Sequence, residues 1–374
     1  MRVHVVDPSA YTPPYDDALC RALAAAGAEV ELYASRFSYG TVPEPDGYVR
    51  HEFFYRRAHG GAPPKAGADG RRGRASLALK LVEHVPDMLR YRRVAVRANV
   101  VHFQWLTVQP IDVHLLPRGR PLVLTAHDIL PREARAGQRA AQRRLYERVD
   151  AVIVHSEHGR QRLVEDLGVD PVRVHVIAHG VLAPAASTPR LDHLPPRLRG
   201  FTGPVVLFFG LLRPYKGLDV LLEAWRGIDG AELWIVGLPR MDLDELREAA
   251  PPNVRFVTRF VTDDEREAVF ARADIVTLPY REIEQSGVAL TALGAGVPMV
   301  LSNVGAFAEL AATGAARLVP PGDPVALRAT LRALLADPAG RAAMARKARE
   351  AAAGPYAWAT TAQATLSLYE SLRR

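Results

Sequence analysis

The stretch VVLFFGLLRPYKGLDVLLEAW, residues 205–225, changes character at its middle. Val205 to Phe209 is an unbroken apolar run, the pattern of a short strand buried on both faces. From Leu218 onward the apolar residues recur at helical spacing. Between the two lie Arg213, Lys216 and Gly217. A strand that feeds a helix through a short loop is the unit of a parallel α/β sheet. The start of such a helix offers unsatisfied N–H groups and the positive end of a dipole, which favour an anion. A guanidinium and an ammonium beside it suit about two negative charges, as on a diphosphate. Gly217 would let the backbone come close to such a ligand. The Walker spacing Gly-x4-Gly-Lys-Ser/Thr is absent, which argues against an ATPase. Lysine is scarce here: Lys65, Lys80, Lys216 and Lys347 stand among 48 basic residues, so a lysine retained at 216 points to a need for a compact ammonium. The competing reading is a solvated cationic turn.

The same strand-then-helix pattern runs outward in both directions. RVHVV (2–6), EVELYA (29–34), VVHFQ (100–104), PLVLTA (121–126) and DAVIVHS (150–156) read as strands of a first half, and PYDDALCRALAAAGAEV as a helix opened by proline and closed by Gly27. GPVVLFFG, AELWIVG, NVRFVT, ADIVTLP and VPMVLSN repeat the pattern in a second half. Residues 181–200, rich in Pro and Ala, read as a linker between a domain at 1–180 and one at 201–356. The basic segment 56–74 reads as a mobile loop. The expected fold class is α/β, with two Rossmann-like domains facing each other across a cleft. In open parallel sheets ligands bind beyond the carboxyl ends of the strands, so function is expected in the loops there.

Composition sets outer bounds. The 374 residues are 48% hydrophobic and 24% charged, as in ordinary globular domains. The net charge of +7 and pI near 9.7 fit an anionic partner. No helix-turn-helix, zinc or ribonucleoprotein motif is present, so nucleic acid is not expected. One cysteine, Cys20, permits no internal disulfide and suits a reducing compartment. With no leader and no apolar span, the expected localisation is cytoplasmic, with peripheral contact to the inner face of a membrane left open.

Two further loops carry candidate chemistry. In LPYREIEQSGVALTALGAGVP, Ser286, Gly287 and Val288 open an apolar helix and could offer amides to the same diphosphate, while Glu282 and Glu284 could accept sugar hydroxyls. In LVLTAHDILPRE, His127 follows a strand directly and could orient a hydroxyl or touch a reacting centre. Gln104 and Trp105 end another strand, where an indole could stack on a sugar or simply pack into the core.

Together, FFGLLRPYKGLDVLLEAW, LPYREIEQSGVALTALGAGVPMVLSNVG and VVHFQWLTVQP...LTAHDILPRE resemble the retaining glycosyltransferases of family 4, which have the GT-B fold. The resemblance implies transfer of a sugar from a nucleotide-diphosphate sugar to a glycan, lipid-linked or small-molecule acceptor, with retention. It gives Arg213 and Lys216 the diphosphate, with Ser286, Gly287 and Val288 holding phosphate oxygens. His127, Glu282 and Glu284 fall to the donor sugar, and His127, Arg213, Lys216 and Glu284 to catalysis. Arg259, Phe260 and Val261 would read the nucleobase, and Tyr11, Gln104 and Trp105 would meet the acceptor. Helix 357–374 would return to the first domain. No cofactor or metal is expected, since no Asp-x-Asp lies in a strand-end loop. The family's pair of glutamates seven residues apart is not kept: the registers fall on Ile283 and Thr291, or on Glu284 and Ala292. The same phosphate pocket would serve a GT-B epimerase or phosphorylase. Residues 50–97 hold twelve basic against four acidic residues, and a helix there could rest on an anionic membrane or simply be solvated.

Overall fold

A computed structural model describes residues 1–37, 42–58, 70–106, 108–130, 137–182 and 190–373, with the backbone alone for 70–78. Most of the segment read as a mobile basic loop, 56–74, therefore lies outside the described residues, and a helix, Gly70–Ala95, begins within its end. The chain divides into two compact units. One comprises Met1–His179 and the last helix, Trp358–Ser371; the other is Gly180–Ala357.

In the first unit the strands are β1 (Arg2–Asp7), β2 (Glu29–Ser35), β3 (Val49–Phe54), β4 (Val100–Phe103), β5 (Leu122–Thr125), β6 (Ala151–Val154) and β7 (Val174–Val176). They form one parallel sheet in the order β3-β2-β1-β4-β5-β6-β7. Apolar residues pack on both of its faces. One face is closed by helix Pro13–Ala25 and by the last helix, whose Ala362, Leu366 and Tyr369 join that core. The Tyr369 hydroxyl lies 2.6 Å from His102 Nδ1 inside it.

In the second unit β8 (Val205–Phe209), β9 (Glu232–Val236), β10 (Val254–Val257), β11 (Ile275–Leu278), β12 (Met299–Ser302) and β13 (Ala316–Val319) form a parallel sheet in the order β10-β9-β8-β11-β12-β13. Trp225 and Trp234 are fully buried in its core, and each indole N–H is satisfied, by Asn253 at 3.1 Å and Glu232 at 2.8 Å. The stretch 181–200, read as a linker, is not all spacer. Residues Leu191–His193 and Pro196–Leu198 form short 3₁₀ turns, and Leu194 and Leu198 are buried in the second core.

Both strand orders reverse direction once, between β1 and β4 and between β8 and β11. At such a switch point neighbouring loops leave on opposite faces and open a crevice at the strand ends. The loops after these four strands carry most of the residues that the motifs single out.

Candidate active site

After β8 the chain makes a 3₁₀ turn, Pro214–Lys216, and enters helix Leu218–Trp225 through Gly217. Pro214 pre-sets the turn, and Gly217 takes a left-handed φ of +67°. The glycine also has a packing reason: a Cβ there would overlap the Pro279 carbonyl at the end of β11. Lys216 is buried to 7% exposure with its ammonium 5.0 Å from the centroid of the Tyr280 ring. A Cβ on Gly210 would stand 2.8 Å from Lys216 Nζ and 3.2 Å from Val288 Cγ2. Lys216 and the start of helix Gly287–Gly294 therefore flank the same glycine. Arg213, on the same loop, is exposed, and among the described residues no carboxylate pairs with it.

Ser286 is the N-cap of that helix, and its Oγ accepts the Ala289 N–H at 3.3 Å. Its hydroxyl hydrogen stays available, as do the amides of Gly287 and Val288, which make no hydrogen bond to protein among the described residues. Glu282 is exposed and Glu284 half-buried. The chain around Glu284 is held from below, for the Ala306 N–H donates to its carbonyl and Gly305 packs against the Ile283 carbonyl so closely that a Cβ would overlap it. Of the two glutamate registers, the one ending at Ala292 points into the core, where Ala292 is fully buried. Thr291 is half-buried, with its hydroxyl donating to the Gly287 carbonyl at 2.9 Å.

The loop after β10 divides its three candidate residues among different tasks. The Arg259 guanidinium donates to both oxygens of Glu265, at 2.8 and 2.6 Å, and to the Phe260 carbonyl at 2.9 Å, so it braces the loop. Val261 is buried in the core, and Phe260 leaves its ring 71% exposed.

In the first unit, Tyr11, Gln104, Trp105 and His127 come together around a cavity of about 310 Å³ at the ends of β1, β4 and β5. Trp105 stacks on His127 with centroids 4.9 Å apart and planes 16° from parallel, while Tyr11 leans on Trp105 at 5.2 Å. The Trp105 N–H donates to Thr12 Oγ1 at 2.9 Å, so the indole is anchored but not buried. His127 Nε2 lies 3.2 Å from Gln104 Oε1, an arrangement in which Nε2 donates and Nδ1 is left to accept. Burial, reinforced by His155, His179 and His102, pushes the His127 pKa well below the usual histidine value, so the ring is neutral near pH 7.

Motif reading missed several residues that build these sites. Gly210 and Gly237 end β8 and β9, and a Cβ on Gly237 would overlap the Gly210 carbonyl. The shared signal was a glycine closing each apolar run, in LFFG and WIVG. Arg281 and Asp219 were also missed. Their ion pair joins the loop after β11 to the first turn of helix Leu218–Trp225, and no local pattern marks it.

Known proteins agree with this architecture. Residues 17–182 match the family model described as Glycosyltransferase Family 4, and 203–337 match Glycosyl transferases group 1. A D-inositol 3-phosphate glycosyltransferase of Corynebacterium efficiens is 30% identical over 74% of this chain and 72% of its own length. A phosphatidyl-myo-inositol mannosyltransferase of Mycobacterium leprae is 33% identical, but the match spans 61% of this chain and 60% of that protein. Anabaena HepE, solved in complex with UDP, superposes with a TM-score of 0.74 at 18% identity, over 99% of this chain and all of that one. No described helix is long and apolar enough to cross a membrane. Sheet order, strand-end loops and these matches converge: the chain belongs to glycosyltransferase family 4 and has the GT-B fold.

Proposed function

We propose that the protein moves a sugar from a nucleotide-diphosphate sugar to an acceptor hydroxyl with retention of anomeric configuration and without a metal. The observation that carries this reading is the buried Lys216 ammonium flanking Gly210 together with the head of helix Gly287–Gly294. The bond from the anomeric carbon to the phosphate oxygen breaks, and that oxygen gathers charge. Lys216, Arg213, the Ser286 hydroxyl and the free amides of Gly287 and Val288 are fixed donors for it, and such preorganised charge lowers the barrier. The acceptor oxygen bonds to the anomeric carbon on the face the diphosphate leaves, and its proton passes to a phosphate oxygen. Neutral His127 would hydrogen-bond a sugar hydroxyl. Glu282 or Glu284 would accept another, and Phe260 would lie against the base.

The UDP held by Anabaena HepE supports a nucleoside diphosphate as the leaving group, and the inositol phosphate and phosphatidylinositol in the names of the bacterial relatives support a glycoconjugate acceptor. Exposed Leu81, Val82 and Leu89 on helix Gly70–Ala95, within the basic stretch 50–97, support a lipid-linked acceptor at an anionic surface. Thermal-shift titration with UDP, GDP, ADP and dTDP tests the donor site, because a ligand that binds the native state raises Tm. Product NMR with and without acceptor, in EDTA, then separates retaining transfer from epimerisation or phosphorolysis. No stabilisation by any diphosphate would remove the reading.

A further inference from the structure

Beside the Trp105 cavity, the first unit holds a second, smaller one of about 160 Å³, which none of the residues assigned above lines. Its wall comes from the first turn of helix Pro13–Ala25, the end of β2 and the first half of β3, and includes Asp16, Asp17, Ser35, Phe37, Tyr48 and Arg50. Two of these carry a buried polar atom with no hydrogen-bond partner among the described residues: Asp16 Oδ1 and Ser35 Oγ, on residues 2% and 5% exposed. Native interiors leave few such groups unpaired, so each asks for a partner.

The charge states say what kind. Asp7 accepts backbone N–H groups from Ser9 at 3.2 Å and Tyr11 at 2.7 Å, which suits a carboxylate. Asp16 is hydrogen-bonded to Asp7, and burial together with that neighbouring charge raises its pKa well above the usual carboxyl range. The proton of the pair therefore sits on Asp16 and is donated to Asp7, which leaves Oδ1 as a neutral acceptor. Asp17 is already satisfied by the Tyr48 hydroxyl at 2.7 Å and by Arg21 at 2.8 Å. The wall carries charge of both signs, Arg36, Arg50 and His51 against Asp17 and Glu52, so neither an anion nor a cation meets a uniform field there. A neutral group rich in hydroxyls would donate to Asp16 Oδ1 and exchange a hydrogen bond with Ser35, with Phe37 and Tyr48 against its C–H faces.

The chain also spends backbone freedom here. Ala10 lines this cavity at φ +48°, a left-handed conformation that is strained for any residue with a Cβ, and the next residue, Tyr11, lines the Trp105 cavity. One turn of chain, held by the Asp7 carboxylate, is thus the shared wall of both. The β2–β3 pairing slips beside the pocket, from Ala34 opposite Glu52 to Ser35 opposite Phe54, so the extra residue there is Phe53 of β3.

We propose that this pocket is a second saccharide subsite, holding a neutral monosaccharide ring of the acceptor adjacent to the ring seated against Trp105. The proposal rests on the sugar-transfer reading above and adds that the acceptor has at least two rings. The test is isothermal titration calorimetry, without donor, of the whole protein against methyl glucoside, mannoside and galactoside, their (1→4)-linked disaccharides, and methyl glucoside 6-phosphate. Wild type should bind one disaccharide at least tenfold tighter than its monosaccharide, and Ser35→Ala and Asp16→Asn should each erase most of that gain. Ser35→Ala removes a hydroxyl that has no partner, so its ligand-free Tm should hold or rise. Should Asp16→Asn fail to fold, Ala34→Leu, which fills the pocket, takes its place. Equal affinities in wild type and variants, no saccharide binding, or a preference for the phosphorylated sugar would overturn the subsite. Stabilisation by nucleoside diphosphates, measured on the same samples, shows whether the donor reading survives independently.

Discussion

Arg281 grips Asp219 with both prongs of its guanidinium, Nη1 to Oδ1 at 3.0 Å and Nη2 to Oδ2 at 2.5 Å. The same side chain donates to the Pro214 carbonyl at 2.8 Å, and the Arg281 N–H donates to the Tyr215 carbonyl at 2.8 Å. One residue of the loop after β11 thereby holds the whole turn that carries Arg213 and Lys216. Because the pair is exposed, its loss should cost only about 0.2–1 kcal/mol of stability. Misplacing the turn should cost more in activity. Arg281→Ala should lower kcat/KM on the order of tenfold or more with Tm little changed. Arg281→Lys, unable to reproduce the fork, should recover only part of it. A variant with normal kinetics would show that the clamp does not position Lys216.

Lys216→Ala should lower kcat by about 10²–10³, the usual loss when a preorganised donor at developing charge is removed. Gly210→Ala attacks the same point from the other side, since its Cβ would stand 2.8 Å from Lys216 Nζ and φ there is +114°. It should reduce turnover and Tm together. Steady-state kinetics beside melting curves separate the two, and unchanged turnover in Lys216→Ala would exclude the ammonium from the chemistry.

Gly217→Ala should destabilise by about 1–3 kcal/mol, because an L-residue is strained at φ +67° and the new methyl meets the Pro279 carbonyl. Denaturant unfolding measures this directly. A loss near zero would mean that the turn re-forms around the methyl group.

Stability should fall as pH drops from about 6.5 towards 4. Burial holds His102 at a pKa of about 3 and His155 at about 4, so both are neutral in the folded protein when the unfolded chain has begun to protonate its histidines. The unfolded state then binds more protons, and acid favours it. Asp16 acts with the opposite sign: it is protonated when folded and ionises on unfolding, so its contribution declines as pH rises above about 4. Melting curves between pH 7.5 and 4.5 should show the fall, and His155→Asn should flatten it. An equal slope in that variant would remove His155 as a cause.

The strands that sequence patterning found and missed track their place in the sheets. Every interior strand was legible, most as an apolar run covered on both faces and β2 as glutamates alternating with apolar residues. β3, β7 and β13 went unread, and all three lie at a sheet edge; of the edge strands only β10, in NVRFVT, was read. VRHEFF, VHV and ARLV carry charge or histidine on positions left partly exposed. The site shows a matching split. Lys216, Ser286, His127 and Trp105 stand at strand or helix ends, where one stretch of chain reveals its own geometry. Arg259 has the right position but spends its guanidinium on Glu265, a use that only the folded loop reveals.

By itself, then, the sequence settled the alternation of strand and helix, the division into two sheets and which candidate residues stand at strand and helix ends, because burial and helix starts leave their mark in adjacent residues. Tertiary structure alone decided that β8 would neighbour β11, that Gly217 would meet Pro279, that Arg281 would close on Asp219 and that Ala10 and Tyr11 would divide two cavities. Those pairings join residues far apart along the chain or depend on which way a turn faces, and the energy that selects them comes from packing between segments that carry no local record of each other.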